Sequence, residues 1–326
     1  MDILRDGGCV ETGPKMRIVF MGTPKAAVTS LERLLSDGHD VATVYTQPDR
    51  PSGRGNKIIY SPVKEFAIEN DIQVLQPLKV RTPEALDEFR SFEADAAVVV
   101  AYGRILPETF LEAFPQGAIN VHFSLLPKYR GAAPVNWAIA GGESETGVTT
   151  MQMDAGLDTG PILLQRTAKI HTDETAIDLM DRLARLGANL LSETLAGLRD
   201  IEPKVQDHAN ATLAPLMRRE DGLIDWNMPA KTISDRVRGF QPFPTAFTLN
   251  RGSRLRIWKA FSADEYDIHG ERSGEVLAAK GDDLLINCGG DTVLRVAELQ
   301  PEGKRRMPTR DFLNGVKLAA GDVFGD

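Results

Sequence analysis

The sequence predicts an α/β protein: an open, mostly parallel Rossmann-like sheet followed by a smaller C-terminal β-barrel of OB-like type. Three observations carry this. Strand-like and helix-like stretches alternate over the first two hundred residues, the pattern of βα units wound into a parallel sheet. Ala96-Ala97-Val98-Val99-Val100 is apolar throughout, as suits a strand covered on both faces. Beyond residue 221 short strands recur between Gly and Asp turns, which reads as a small antiparallel barrel. At 326 residues the chain is long enough for two cores.

The elements follow in order. Residues 1–15 are polar and Gly-containing, lack the apolar core of a secretory signal, and read as a disordered extension ahead of Met16. Ile18 to Met21 is a buried strand. Thr23 and Pro24 suit a helix start, and Ala26, Val28, Leu31, Leu34 and Leu35 then recur near helical spacing. Val41 to Tyr45 is a strand, Val63 to Asn70 a short helix, Val74-Leu75 a short strand and Pro83 to Phe92 a helix. After the apolar run at 96–100, Ile119 to His122 and Gly147 to Met153 are strands, and Thr175 to Leu198 is a long amphipathic helix. This bounds a catalytic domain over 16–203. Residues 204–221 break the periodicity with Pro215 and polar residues and read as a linker, with Leu213 and Leu216 expected to dock. In 222–326, a helix from Lys231 to Gly239 precedes strands at 255–259, 274–278, 283–287 and 292–299, and a last helix starts at Thr309.

Composition narrows the function. The first βα turn is Gly22-Thr23-Pro24, without the G-x-G-x-x-G that cradles a dinucleotide, and no G-x-x-x-x-G-K-[ST] exists for a nucleotide triphosphate. Cys9 and Cys288 make neither a disulfide framework nor a zinc site, and the five histidines show no metal-ligand spacing. No catalytic metal is expected. No window approaches the roughly 18 apolar residues of a membrane span, so the expected place is the cytoplasm. The net charge of −8 lies within 1–221, because acidic and basic residues balance in 222–326. A polyanionic partner would need local basic clusters. Two exist: Arg50 to Lys57, with Arg50, Arg54 and Lys57, and Lys304-Arg305-Arg306.

One constellation suggests chemistry. Residues i and i+2 of a strand share a face, so Asn120 and His122 should emerge side by side at a strand's C-terminal end, where open α/β sheets bind ligands. An amide donor beside an imidazole can stabilise an oxyanion and move a proton. Asp154 and Asp158 sit in a Gly-rich loop after the next strand, and Asp158 could orient or charge the ring. These residues describe an active site with the reaction class left open.

The segments Ile119-Asn120-Val121-His122, Ser124-Leu125-Leu126-Pro127, Tyr129-Arg130-Gly131-Ala132-Ala133-Pro134 and Met151 to Gly160 together resemble the formyltransferases that use 10-formyltetrahydrofolate. Phe20 to Pro24, Thr46 to Gly55, Val99 to Gly103 and Asp221 to Trp226 resemble the tRNA-acting branch of that family, and the likeness runs from Met16 to about Leu318. The resemblance implies transfer of a formyl group to the α-amine of methionine carried on initiator tRNA, for translation initiation, through a tetrahedral intermediate. It implies Asn120, His122 and Asp158 as catalytic residues. Ser124, Leu125, Leu126 and Pro127 would line the folate site, and Arg54, with Arg50 and Lys57, would read the tRNA acceptor end. The barrel would dock tRNA, and the chain is expected to act as a monomer. A carboxylate near an imidazole favours its cation, which is the role the resemblance leaves for Asp158. Phe123 stands where the family usually has Gly, so either the backbone there is ordinary or the folate pocket is locally reshaped. Three alternatives compete: formyl transfer to an amino-sugar nucleotide, formyl transfer to glycinamide ribonucleotide, and a non-catalytic RNA- or folate-binding protein. The basic loop, the second domain and the intact Asn120, His122 and Asp158 respectively argue against them.

Overall fold

The computed structural model describes residues 14–52, 57–263, 265, 266, 268 and 270–325. Arg54, Cys9 and all but the last two residues of the expected extension lie outside them. In chain order the elements are β1 (Arg17–Gly22), α1 (Lys25–Ser36), β2 (Asp40–Tyr45), β3 (Arg50–Ser52), β4 (Lys57–Ile59), α2 (Pro62–Glu69), β5 (Val74–Leu75), α3 (Pro83–Arg90), β6 (Ala96–Val100), α4 (Glu108–Leu111) and β7 (Ala118–His122). Next come α5 (Pro134–Ala140), β8 (Glu145–Gln152), β9 (Ile162–Lys169) and α6 (Ala176–Ala196). The last group is α7 (Ala230–Gly239), β10 (Phe247–Asn250), β11 (Ser253–Ser262), β12 (Val276–Lys280), β13 (Asp283–Cys288), β14 (Thr292–Pro301), β15 (Met307–Pro308) and α8 (Thr309–Gly315).

The chain forms two compact units. One takes the chain through Lys128 with Gly147–Thr167 and Arg182–Ala211; the other takes Tyr129–Thr146, Ala168–Asp181 and the chain from Thr212. The first holds a seven-stranded sheet of order β5-β2-β1-β6-β7-β8-β9. β5, β2, β1, β6 and β7 run parallel, and β8 is antiparallel to β7. The apolar run at Ile18 to Met21 is fully buried. α2 and α3 start where sequence rules place them: Pro62 and Pro83 open them, and the Ser61 and Thr82 hydroxyls accept the N–H groups of Lys64 and Ala85 at 3.1 and 3.2 Å. α1 differs, because Pro24 takes the cap position and the Thr23 hydroxyl turns away to donate to the Tyr102 carbonyl. On one face of the sheet Phe89 packs 4.6 Å from Phe110 and 4.7 Å from Phe114, ring centre to ring centre, with Tyr45 edge-on at 5.4 Å.

The chain adds strands on one side of β1 (β2, β5) and then on the other (β6, β7). The order reverses between β1 and β6, and in such sheets ligands usually bind at the C-terminal ends of the strands near that point.

The second unit holds an antiparallel half-barrel of order β10-β11-β14-β13-β12, with β15 paired to β14. Its inner face buries Ile257, Val276, Ile286 and Val296 with Trp226 and Phe312, and the Trp226 indole donates to the Thr248 hydroxyl at 3.1 Å. α5 and α7 pack together, with the Asn136 amide donating to the Gly239 carbonyl and Trp137 set edge-on to Phe240.

The stretch read as a linker is bound along its length. Within the first unit, Lys204 and Ile162 exchange two backbone hydrogen bonds of 2.8 Å. Within the second, Ala214 N–H donates to the Arg130 carbonyl at 2.7 Å and the Trp137 indole to the Pro215 carbonyl at 2.9 Å. The expected docking of Leu213 and Leu216 does not occur: they are 71 % and 74 % exposed, and Ala214 and Met217 are buried instead. The backbone bonds to 130–133 choose which side chains face inward. β3, β4, α4, α5, β9, β10 and β15 had no counterpart in the sequence reading.

Candidate active site

β7 lies between β6 and β8, with Asn120 opposite Val99 and Met151 and His122 opposite Thr149. Val121 and Phe123 point toward α6, where a Cβ on Gly187 would stand 3.0 Å from Val121 Cγ1 and 3.4 Å from Phe123 Cε1. Strand alternation then places Asn120 and His122 together on the opposite face, as expected. The Phe123 question is answered by the same contact. Its φ is not positive and its ring is buried against the helix, so the backbone there is ordinary and the ring faces away from the doublet.

Asn120 is 8 % exposed and His122 5 %. No described residue hydrogen-bonds to the Asn120 side-chain amide, and the amide is not among the polar atoms cut off from solvent, so its donors are open to a ligand. The Asp158 Oδ2 stands 3.7 Å from His122 Nδ1, which brings together the three catalytic candidates.

The two aspartates of the loop have separate positions. Asp154 braces the loop, accepting the Thr159 hydroxyl at 2.7 Å and the Gly156 N–H at 3.1 Å. Asp158, at φ +52°, carries its carboxylate to the imidazole. The neck of the loop is closed at Gly160, where a Cβ would fall 1.8 Å from the Gln152 carbonyl oxygen. The Gln206 amide donates to the Asp158 carbonyl at 2.9 Å and the Gly160 carbonyl at 2.7 Å.

The Ser124–Pro127 segment turns beside the doublet. Ser124 and Leu126 are buried, while Leu125 and Pro127 are half-exposed. The Thr149 hydroxyl donates to the Ser124 carbonyl at 2.7 Å and accepts the Leu126 N–H at 3.2 Å; Gln165 donates to the Leu126 carbonyl at 2.9 Å. Gln206, Thr149 and Gln165 escaped the sequence reading, since a single Gln or Thr in a polar stretch carries no spacing signal.

Of the basic candidates, Arg50 is exposed on β3, which pairs with β4. Lys57 begins β4, and Arg54 lies outside the described residues. The base of this ribbon is bracketed: Lys64 Nζ lies 2.5 Å from Asp49 and 2.8 Å from Gln76 Oε1, and Gln76 donates to Asp49 at 2.8 Å. Burial works against ionising Asp49, but hydrogen bonds from Lys64 and Gln76 and the ammonium charge hold its carboxyl below the usual value. In the half-barrel, Arg306 pairs with Glu298 and lies over the Trp258 ring, while Lys304 and Arg305 are exposed. Among the described residues no group of three or more His, Cys, Asp or Glu side chains is placed to hold a metal ion, and no helix is long and apolar enough to cross a membrane.

The formyl transferase family model matches residues 16–195, and the model of the formyl transferase C-terminal domain matches 216–317. A methionyl-tRNA formyltransferase of Geobacter sulfurreducens is 47% identical over 95% of this chain and 97% of its own. One from Caldanaerobacter subterraneus subsp. tengcongensis is 49% identical over 95% of this chain and 100% of its own. The chain belongs to the methionyl-tRNA formyltransferase family. Solved structures share its fold. WlaRD, a sugar 3N-formyl transferase crystallised with dTDP and 5-N-formyl-THF, superposes with TM-score 0.64 at 21% identity, covering 90% of this chain and 100% of its own. HypX from Aquifex aeolicus, in complex with tetrahydrofolic acid, gives 0.62 at 18% identity over 92% of this chain, which spans 47% of the HypX chain.

Proposed function

We propose that this chain transfers the formyl group of 10-formyltetrahydrofolate to the α-amine of methionyl initiator tRNA, for translation initiation. The observation that carries the chemistry is the Asn120 amide, bonded to no described residue, beside His122, with Asp158 3.7 Å from the ring. Attack of the neutral amine on the formyl carbon forms a C–N bond and leaves a tetrahedral carbon bearing an oxyanion. The Asn120 amide and an N–H of the His122 ring donate hydrogen bonds to that oxygen. Collapse breaks the bond from the formyl carbon to the folate nitrogen. The amine gives up one proton and the leaving nitrogen takes one, a transfer within the reach of an imidazole or a water held by Asp158. No bond to the protein is made or broken.

Half-exposed Leu125 and Pro127 suit the flat heterocycle of a folate, while buried Ser124 and Leu126 hold the turn. Arg50, Arg54 and Lys57 are assigned to the tRNA acceptor end, because guanidinium groups make paired bonds to phosphate and base edges. Tyr60, exposed after β4, adds an aromatic face on which a base can stack. The sequence division into 16–203, a connecting 204–221 and 222–326 stands as our proposal for the domains. Identity of 47–49% to tRNA-acting relatives favours this acceptor over an amino-sugar nucleotide. The test is formyl transfer from formyl-folate to Met-tRNA and to a sugar-nucleotide amine. Turnover only with the sugar nucleotide would overturn the reading of the acceptor, and full activity of His122→Ala would overturn that of the site.

A further inference from the structure

Asp158 is a non-glycine residue held at φ +52°, a conformation that persists only where the surroundings over-determine it. Part of the restraint is internal: Asp154 ties Gly156 and Thr159, and the neck closes at Gly160. Gln206 reaches in from outside the loop. Its backbone runs extended beside the start of β9, fixed by the Lys204 and Ile162 pair. Val205 therefore points to solvent and Gln206 points inward, 3 % exposed. Its amide nitrogen spans the carbonyls on either side of Thr159, those of Asp158 and Gly160. Only a donor can serve two carbonyl oxygens, so the amide cannot be replaced by a carboxylate of the same shape.

We propose that Gln206 is a positioning residue for formyl transfer: by holding the Asp158 and Gly160 carbonyls it keeps the Asp158 carboxylate against His122. This rests on the reading of Asn120, His122 and Asp158 as the reacting site. Gln206 acts on the site through the loop carbonyls it holds, and a displacement of about 1 Å at a catalytic group can cost on the order of 10²-fold in rate.

The test is a double-mutant cycle on the full chain, read by single-turnover formylation of Met-tRNA and by thermal melting. Gln206→Leu and Gln206→Glu each remove the donors. Both are expected to lower the rate about 10- to 100-fold while KM for Met-tRNA and for formyl-folate stays within about twofold of the parent. If Gln206→Glu fails to fold because it buries a charge, the neutral Gln206→Leu carries the test. In an Asp158→Asn background the same substitutions should cost almost nothing further, because the group they position is already disabled. Rate losses that multiply between the two sites would overturn the proposal, as would a fall in melting temperature with the single-turnover rate unchanged. An Asp158→Asn variant with the parent rate is a different failure: it removes the reading of the site itself, and this role with it.

Discussion

Replacing Asn120 by alanine isolates one half of the oxyanion site. The residue sits mid-strand in β7 between two paired strands, and its backbone bonds to β6 and β8 do not depend on its side chain. The side chain is 8 % exposed, and its amide bonds to no described residue. Its removal therefore breaks no structural bond, and the melting temperature should be little changed. The reaction should respond strongly. A preorganised donor in a water-excluded site contributes roughly 2.7–4 kcal/mol to the transition state, so its loss lowers kcat by about 10²–10³-fold. KM for formyl-folate should change little, since the bond matures only as charge develops on oxygen. Asn120→Asp should be worse than Ala, because it places a carboxylate where negative charge accumulates. The assay is single-turnover formylation of Met-tRNA with both substrates saturating. An alanine variant within about threefold of the parent rate, with chemistry rate-limiting, would refute the assignment; the expected loss is at least thirty times larger than that margin.

Three further outcomes are expected. Gly160→Ala places a Cβ 1.8 Å from the Gln152 carbonyl oxygen, so the neck of the Asp158 loop must open; kcat should fall on the order of 10²-fold while circular dichroism still reports a folded chain, and an unchanged kcat would sink the idea. Lys64→Met removes the bracket at Asp49 and should raise KM for Met-tRNA more than KM for formyl-folate in steady-state assays. The Asp49 carboxyl is held below its usual value, so the bracket's contribution to stability is present above the unfolded pKa of about 3.9 and is lost as pH falls through the lower folded value. The melting-temperature gap between the parent and Lys64→Met should accordingly close in acid; a gap independent of pH would contradict this. Arg50→Ala should weaken Met-tRNA binding and reduce the slope of log K against log salt by about one contact, measured by titration at several ionic strengths, and an unaltered slope would remove Arg50 from the interface.

Much of the fold was legible because its signals are local. An apolar run of five such as 96–100 suits a strand covered on both faces, and Pro83 suits a helix start by its fixed φ. The Asn120–His122 doublet was legible for the same reason: the period of a strand puts both on one face wherever the strand lies. Several short elements were not, although the two-residue β5 was, and the eight-residue β9 was missed despite its length. β3, β4, β10 and β15 hold two to four residues each, too few for a period to show, and they form because a partner strand is already in place. The docking expected of Leu213 and Leu216 was misjudged because this stretch takes its order from distant backbone groups at 130–133 and 162, and polar composition reports none of that.

By itself, then, the sequence determined that Asn120 and His122 stand together at the end of a buried strand, and that a Gly-rich loop with two aspartates follows. Asp158 was the partner named for the imidazole; how the loop holds it there was decided by tertiary structure. Asp154 is spent on the loop's own turn, and Asp158 is held at a left-handed φ by the neck at Gly160 and by Gln206, 48 residues further along the chain. Strand periodicity is a property of neighbouring residues and can be read along the chain. The position of a loop is set by contacts between residues far apart in sequence, and only the folded chain brings those together.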